Sequence, residues 1–464
     1  MDTKKLRQKI LDLAIRGKLV PQDPNDEPAS VLLERIRTEK ERLIKEGKIK
    51  KSKASKTSDT PHYENVPFEI PSSWEWTTLG EICFFENGYA FSSDDYTTSG
   101  IPLIRISNIK DNQISTENCV YIQGDYEDKF QICNGDLLIA MSGATTGKMG
   151  IYLSNKKAYL NQRVGNIKVI DTQSLCLEYR NLFLRSKSEE ILKLAYGGAQ
   201  PNISGAMISS LQVPLPPISE QYRIVIETER WFALIEQIEQ GKADIQTAIK
   251  QTKSKILDLA IHGKLVPQDP NDEPASELLK RINPAAEITC DNEQYGKLPK
   301  GWCNCRLCDI LEITMGQSPQ GDSINSNEGI EFHQGKLCFS EKYLQHSNVF
   351  TTEPTKIAEV DSLLLCVRAP VGIVNISQRR ICIGRGLCSL KPIYGTTLFY
   401  FYLLQTLKNS FERQSTGTTF KAISGDVVKK EIISLPPIAE QYRIVAKIEE
   451  LFSSLDNIQK ALEV

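Results

Sequence analysis

One long stretch of the chain repeats apolar residues at the spacing of a single helix face. Residues 219–261 have apolar side chains three, four or seven positions apart, which predicts an amphipathic helix of about 60 Å at 1.5 Å per residue. Pro216 and Pro217 precede this helix, and Ser219 and Gly263 are its candidate N-cap and C-cap positions. The apolar positions are Ile235, Ile238, Ile245, Ile249, Ile256 and Leu259.

Residues 66–213 and 297–433 have a different pattern, in which short apolar runs are separated by Gly, Asn, Ser and Asp. This pattern is typical of β-strands joined by turns. Each region ends in a helical pattern, at 177–195 and 396–412, followed by a loop rich in Gly, Thr and Ser. The expected fold class is α+β, with two globular domains and long helices. The strand-like runs are 101–109, 136–142, 164–170, 361–369, 372–377 and 386–392.

The chain contains one module twice. Residues 9–36 read KILDLAIRGKLVPQDPNDEPASVLLERI, and residues 255–282 match them at 25 of 28 positions. LPPISEQYRIV at 215–225 returns as LPPIAEQYRIV at 435–445. The helical segments are therefore almost identical, whereas the regions between them differ beyond a few short matches. This combination suits one scaffold that carries two different binding domains.

The two copies are shifted in a circular frame. In the middle of the chain, EQYRIV continues into KILDLAI, whereas after the second EQYRIV the chain runs only to Val464. The missing part stands at the N-terminus, within residues 3–16. We therefore expect the two termini to lie close together and to rebuild the central segment jointly. We also expect the two long helices to pair antiparallel, with pseudo-two-fold symmetry.

This frame predicts the order of the segments. An N-terminal helical segment and a basic linker come first, followed by a domain, a helical spacer, a second domain and a distal helix. Their expected bounds are 1–45, 46–65, 66–215, 216–284, 285–433 and 434–464.

Composition excludes several classes of protein. The formal net charge of −2 argues against a strongly basic nucleic-acid-binding protein, so any DNA-binding face must be local or shared with a basic partner. The N-terminus lacks the apolar stretch of a signal peptide, and no apolar run reaches the ~18 residues of a membrane span. We expect a cytoplasmic protein whose 12 cysteines are reduced.

Signatures of catalysis are missing from the sequence. The four histidines form no zinc-hydrolase pattern, and neither a nucleophile elbow nor a dinucleotide fingerprint occurs. The segment from Gly143 to Lys148 has three residues between its glycines instead of the four of a P-loop. Cys303, Cys305 and Cys308 have no cysteine counterparts in the first copy, so we expect no metal site.

What remains is a set of long polar side chains on corresponding loops. Arg and Lys can bind guanine edges, Asn and Gln can bind adenine edges, and the cations also hold phosphates. We expect these residues to contact DNA. In the first domain they are Arg105, Asn108, Lys148, Gln162, Arg163, Gln200 and Asn202. In the second domain they are Gln317, Gln334, Lys336, Arg368, Arg385, Thr418, Thr419 and Lys421.

The chain resembles the specificity subunits of type I restriction–modification systems over nearly all of its 464 residues. The two EQYRIV segments and the two KILDLAI segments carry the resemblance, together with the domain openings IPSSWEWTTLGEI (70–82) and LPKGWCNCRLCDI (298–310). Within the domains, PLIRISNI (102–109), GDLLIAMSG (135–143) and LNQRVGNI (160–167) also fit the family.

The resemblance implies a non-catalytic chain whose two domains each recognise one half of a split double-stranded DNA target. The conserved helices would set the spacing of the half-sites and dock two modification subunits that carry S-adenosylmethionine and the adenine methyltransferase site. Restriction subunits, which are ATP-driven translocases with a nuclease site, would join them and use ATP and Mg²⁺. Two alternatives stay open at this point. One is a helical adaptor that does not recognise DNA, and the other is the specificity half of a different split restriction enzyme.

Overall fold

The computed structural model describes residues 2–49, 66–110, 112–143, 145–195, 201–288, 298–417 and 421–463. The chain divides into an N-terminal unit, residues 2–240, and a C-terminal unit, residues 241–464. Most of the basic linker predicted at 46–65 lies outside the described residues. Among the described helices, none is both long and apolar enough to cross a membrane.

The N-terminal unit combines short strands with helices packed around one principal core. Its helices are α1 (Thr3–Ile15), α2 (Ala29–Lys45), α3 (Leu79–Ile82), α4 (Leu177–Ser186), α5 (Ser188–Ala195), α6 (Gly205–Ser209) and the first part of α7 (Ile218–Ile261). Its strands are β1 (Glu75–Thr78), β2 (Cys83–Asn87), β3 (Ile101–Ile104), β4 (Ile109–Lys110), β5 (Gln113–Ile114), β6 (Val120–Ile122), β7 (Gln131–Ile132), β8 (Leu137–Ala140), β9 (Met149–Ile151), β10 (Ala158–Leu160), β11 (Val164–Val169) and β12 (Gln212–Leu215).

Three sheets form this unit within the described residues. Strands β2-β11-β8-β9-β5-β4 make the largest sheet, β6-β3-β10-β7 make the second, and β1 pairs with β12. Strands β3 and β10 run parallel, so both end at the same edge, with Leu160 opposite Ile104. The principal core gathers apolar side chains from α1, α2, α4, the large sheet and the start of α7.

The C-terminal unit repeats this architecture. Its further helices are α8 (Ala275–Ile282), α9 (Leu307–Ile310), α10 (Thr397–Thr406), α11 (Lys408–Gln414), α12 (Gly425–Lys430) and α13 (Ile438–Glu463). Its strands are β13 (Cys303–Arg306), β14 (Leu311–Met315), β15 (Ile324–Asn325), β16 (Ile330–His333), β17 (Phe350–Thr351), β18 (Ile357–Ala358), β19 (Ser362–Cys366), β20 (Val374–Ser377), β21 (Ile381–Ile383), β22 (Leu387–Pro392) and β23 (Ile432–Leu435).

Strand pairing shows the correspondence between the two units. Sheet β14-β22-β19-β20 matches β2-β11-β8-β9, and the pair β13–β23 matches β1–β12. The parallel pair β16–β21, with His333 opposite Ile383, matches β3–β10. The predicted α+β fold class and the duplicated domain are therefore confirmed.

Helix α7 confirms the predicted long helix and extends it by one residue, to 218–261. Its first part belongs to the N-terminal unit, where α1 packs against it. Arg7 lies 2.9 Å from Glu239 and stacks over the Phe232 ring at 5.3 Å. Its second part belongs to the C-terminal unit, where Lys253 contacts α13.

The contact in the C-terminal unit reproduces the one in the N-terminal unit. Lys253 lies 2.5 Å from Asp456 and 5.2 Å from the centre of the Phe452 ring. The repeat makes Lys253 the counterpart of Arg7 and Phe452 the counterpart of Phe232. Helix pairing through the repeated segments is thus confirmed within each unit. The predicted proximity of the termini concerns Met1 and Val464, which lie outside the described residues, and it stays a prediction.

A buried carboxylate ties three distant segments together in each unit. Glu220 on α7 accepts a hydrogen bond from the Trp74 indole at 2.9 Å and from the Gln22 amide at 2.6 Å. Glu440 on α13 accepts the same bonds from Trp302 at 3.0 Å and from Gln268 at 3.1 Å. Burial raises the pKa of both carboxyls, and the hydrogen bonds from the Gln and Trp side chains oppose that rise.

A second contact in each unit holds the loop that carries Gln22 or Gln268 beside the long helix. Arg223 pairs with Asp26 at 2.6 Å, and Arg443 pairs with Asp272 at 2.6 Å. Two residues after the KILDLAI helices end, Gly17 and Gly263 have φ angles of +65° and +63°. Only glycine enters that region without strain, and an added Cβ would also lie within 2.5 Å of a proline side chain.

The first prediction concerns this network. Glu220→Gln replaces an acceptor oxygen with an NH₂ donor that faces another donor, so we expect a loss of about 1–3 kcal/mol of unfolding free energy. Urea denaturation followed by tryptophan fluorescence measures the loss. Glu440→Gln should behave alike because its network is the same. Glu229→Gln, at an exposed position on α7, is the matched control and should stay within about 0.5 kcal/mol of the wild type. Equal effects at Glu220 and Glu229 would contradict the role assigned to the network.

Candidate nucleic-acid interface

Strand ends bring four predicted residues of the C-terminal unit to one cleft. Because β16 and β21 are parallel, Gln334 and Arg385 follow them at the same edge. Arg368 follows β19 at this edge, since the Val367 N–H donates to the Gly386 carbonyl at 3.0 Å. These three residues and Lys336 line a cleft of about 150 Å³. We call it the C-terminal cleft.

The C-terminal cleft is cationic. Among its described lining residues, Lys336, Arg368 and Arg385 are cations and none is a carboxylate. All three and Gln334 are exposed. Such a set can bind electronegative groups, above all the O6 and N7 atoms of guanine and the oxygens of phosphates.

A buried ion pair holds the loop that forms one wall of this cleft. Glu331 on β16, whose side chain is 9% exposed, accepts hydrogen bonds from both Nε and Nη2 of Arg379 at 2.5 Å. Arg379 also donates to the backbone carbonyls of Leu344 and Gln345 at 3.0 and 2.9 Å. The Ser347 N–H donates to Glu331 at 2.6 Å. The loop that carries Gln334 and Lys336 is therefore anchored at both ends.

The ionisation of this network follows from its contacts. Burial opposes the charge of Glu331, but hydrogen bonds from Arg379, the Ser347 N–H and His333 outweigh it and hold the pKa at about 2. Burial lowers the pKa of His333, whose Nε2 lies 2.8 Å from Glu331. At neutral pH the arrangement is a carboxylate paired with a guanidinium.

The N-terminal unit places other residues on the same framework. The Asn161 N–H donates to the Ile104 carbonyl at 3.0 Å, as Gly384 does to His333 at 2.8 Å. Arg105 therefore corresponds to Gln334, and Gln162 corresponds to Arg385. The Met141 N–H donates to the Arg163 carbonyl at 2.9 Å, as Val367 does to Gly386 at 3.0 Å. Ser142 consequently stands where the other unit has Arg368.

Most of the predicted residues are exposed. Lys148 follows the turn after β8, Asn202 forms a β-bridge with Ser142, and the Lys421 carbonyl accepts the Ala369 N–H at 2.9 Å. The Gln317 N–H donates to the Ile383 carbonyl at 3.0 Å, beside Arg385. These contacts place Lys148, Asn202, Lys421 and Gln317 at the strand ends already described. The exposed members are Lys148, Gln162, Arg163, Asn202, Gln317, Gln334, Lys336, Arg368, Arg385 and Lys421.

The remaining predicted residues differ from these. Arg105 is half-buried and stacks over the Tyr96 ring at 5.7 Å. Asn108 is only 3% exposed: its Oδ1 accepts the Arg105 N–H at 2.9 Å and its Nδ2 donates to Ser115. Both polar side-chain atoms of Asn108 are thus hydrogen-bonded within the turn, and neither faces outward. Gln200, Thr418 and Thr419 lie outside the described residues.

The sequence pattern did not indicate Ser142, the Glu331–Arg379 pair or Tyr89, whose backbone carbonyl accepts the Gln162 N–H at 2.9 Å. A glycine precedes Tyr89, as one precedes Gln317, and this was the only local signal for that position. Ser142 and Arg379 carry no comparable signal because their importance comes from strand register. In the described parts of the chain, no group of three or more His, Cys, Asp and Glu side chains is placed to hold a metal ion.

Comparison with known proteins identifies the family of the chain. The family described as "Type I restriction modification DNA specificity domain" matches residues 71–247 and 299–464. The EcoAI type I restriction enzyme specificity subunit of Escherichia coli is 28% identical over 98% of this chain and 90% of its own length. The EcoEI specificity subunit of Escherichia coli is 27% identical over 99% of this chain and 91% of its own.

Two solved structures share the fold. One is a chain from a structure that concerns the complex assembly and conformational transition of the type I restriction–modification system. It has a TM-score of 0.62 and 24% sequence identity, and the match covers 86% of this chain and 94% of that chain. The other is the HsdS subunit from Thermoanaerobacter tengcongensis, with a TM-score of 0.52 and 22% sequence identity. The match covers 85% of this chain and 93% of that chain.

The second prediction tests the loop anchor. The folded pKa of Glu331, about 2, lies below an unfolded value of about 4.3, so its contribution to stability is present above pH 4.3 and is lost as the pH falls toward 2. We expect Glu331→Gln to lower the unfolding free energy by about 2 kcal/mol at pH 7, and by less at pH 3. Urea denaturation at both pH values measures this. Glu328→Gln, at an exposed position nearby, is the control. A penalty that grew on acidification would rule out the ion pair as its source.

Proposed function

Because the chain belongs to the type I restriction–modification DNA specificity family, we propose that it is the subunit that selects the DNA sequence on which such a system acts. Each unit recognises one half of a bipartite double-stranded target. In the C-terminal unit the recognition surface is the C-terminal cleft. In the N-terminal unit it is the corresponding surface formed by Arg105, Gln162, Arg163 and Asn202.

The observation that carries this proposal is the contrast between scaffold and surface. The Trp–Glu–Gln network and the Arg–Asp pair have the same residues in both units, and the Trp–Glu and Arg–Asp distances agree within 0.1 Å. On the same strand framework, the residues at corresponding positions differ: Arg105 corresponds to Gln334, and Ser142 corresponds to Arg368. A single scaffold that presents different hydrogen-bonding groups suits recognition of two different half-sites.

The catalytic chemistry is assigned to other subunits. Modification subunits would supply S-adenosylmethionine and the adenine methyltransferase site, and restriction subunits would supply ATP- and Mg²⁺-dependent translocation and cleavage. This chain would determine the DNA sequence on which the complex acts. It would be bound in the cytoplasm to the other subunits and to DNA.

The repeated helices offer two equivalent surfaces to such partners. Tyr222 and Tyr442 occupy the same place in EQYRIV and are 48% and 57% exposed, although the Glu, Gln and Arg of the motif are used by the fold. Lys18 and Lys264 are likewise exposed at equivalent positions. Two identical surfaces suit two copies of one partner, the modification subunit.

The third prediction tests the C-terminal cleft. Arg368→Ala and Arg385→Ala should each relax the required base in one half of the target and weaken binding to the preferred sequence by about 1–3 kcal/mol. Mapping methylated adenines in cells that express the chain with its modification partner gives the motif, and gel-shift titration gives the affinity.

The control for this experiment is Arg380→Ala, an exposed arginine at the opposite end of β21. It should leave the motif as in the wild type. A motif unchanged in both cleft variants would contradict recognition by this cleft. Binding that ignores the sequence of both halves would instead favour a helical adaptor.

The fourth prediction separates phosphate contacts from base contacts. If Lys336 holds a phosphate, Lys336→Ala should weaken binding to preferred and unrelated DNA alike. The negative slope of log K against log salt concentration should then become less steep by about 0.9. A loss confined to the preferred sequence would assign Lys336 to a base edge.

A further inference from the structure

A glycine holds the same backbone position in both units. A Cβ atom added to Gly88 would lie 2.2 Å from the Asn161 carbonyl oxygen, and one added to Gly316 would lie 2.2 Å from the Gly384 carbonyl oxygen. Both distances are well inside van der Waals contact with backbone atoms, so only glycine fits. Each glycine lets the chain pass directly against the strand end that leads to Gln162 or Arg385.

The residue after each glycine is consequently fixed. The Tyr89 N–H donates to the Leu160 carbonyl at 2.9 Å, and the Gln317 N–H donates to the Ile383 carbonyl at 3.0 Å. The Tyr89 carbonyl also accepts the Gln162 N–H at 2.9 Å. The backbone N–H groups at positions 89 and 317 are thus bound in the same way, whereas the side chains are a phenol and a carboxamide.

The Tyr89 ring is held in place but not covered. It is 43% exposed. Its centre lies 4.9 Å from the Phe91 ring, 5.2 Å from the Phe130 ring and 5.7 Å from the Tyr126 ring. Phe91 is buried, so part of the Tyr89 ring rests on the core while the rest stays exposed, on a residue whose backbone carbonyl binds the Gln162 N–H. An aromatic ring ordered before binding loses little conformational entropy when it meets a ligand.

We propose that positions 89 and 317 are equivalent specificity-determining positions, and that Tyr89 contacts a base edge in the half-site of the N-terminal unit. The inference rests on the proposed function and deepens it, because it adds a residue and a base class. An apolar ring suits the C5-methyl group of thymine, whereas the Gln317 carboxamide suits the N6 and N7 atoms of adenine. The two units would differ here in the base that they prefer.

The test exchanges the two side chains in the complete complex with the modification partner. Tyr89→Gln should change the preferred base at one position of one half-site, with a loss of about tenfold in discrimination for the original base. Gln317→Tyr should do the same in the other half-site only. Methylated-adenine mapping gives the motif, and gel-shift titration against single-base variants gives the discrimination.

Two further variants separate base contact from packing. Tyr89→Phe keeps the ring, so its loss of discrimination should stay below about threefold if the ring makes the contact. Leu153→Gln is the matched control: it is 63% exposed in the same unit, at the far end of β9 from Lys148. It should behave as the wild type.

The outcomes distinguish this inference from the proposed function. A wild-type complex with a sequence-dependent motif that is unchanged in both exchanged variants overturns the inference alone. Should Tyr89→Gln fail to fold, the result with Gln317→Tyr decides, because the Gln317 side chain is exposed. A wild-type complex that ignores the sequence of both halves overturns the proposed function and the inference together.

Discussion

The buried glutamate at the start of each long helix is the interaction on which the rest of each unit depends. Glu220 and Glu440 each receive an indole N–H from the segment that opens the domain and an amide N–H from the loop after the KILDLAI helix. A carboxylate without these donors would be too costly to bury. The helix, the loop and the domain opening are therefore ordered together, and the domain leaves the helix in a defined direction.

This constraint explains which parts of the repeat are nearly identical and which have diverged. Within each unit, the Glu of EQYRIV bonds to the Gln of LVPQDPND and to the Trp of the domain opening. The Arg of EQYRIV pairs with the last Asp of LVPQDPND. The Gln of EQYRIV donates to a backbone carbonyl that precedes the helix. A change in one would leave a buried group without its partner, at a cost that a neighbouring change could not easily offset. The strand ends carry no such coupling, since exposed side chains there can vary while Gly88 and Gly316 keep the backbone in register.

Helix 219–261 and both domains could be predicted from the chain because apolar spacing is a local property. Five of the six strand-like runs each contain one strand, whereas the run 101–109 is divided into β3 and β4 by a turn at Ile106–Asn108. Helices 177–195 and 396–412 are present but are each divided, after Ser186 and Thr406. The candidate site was predictable only in part. Gln334, Lys336, Arg368 and Arg385 were recognised by type, yet their meeting in one cleft depends on parallel pairing of β16 with β21. Asn108 is a polar residue like the others that were expected to contact DNA, and only its burial shows that it stabilises the turn.

The loops beside the two recognition surfaces are held by different chemistry. After β3, the neutral amide of Asn108 closes the turn through the Arg105 N–H and the Ser115 carbonyl. After the equivalent strand β16, the Glu331–Arg379 ion pair does so through Leu344, Gln345 and the Ser347 N–H. An amide network does not titrate, whereas a carboxylate network weakens once the carboxylate is protonated. The same strand framework is therefore supported by a different network in each unit, and the two networks share no residue.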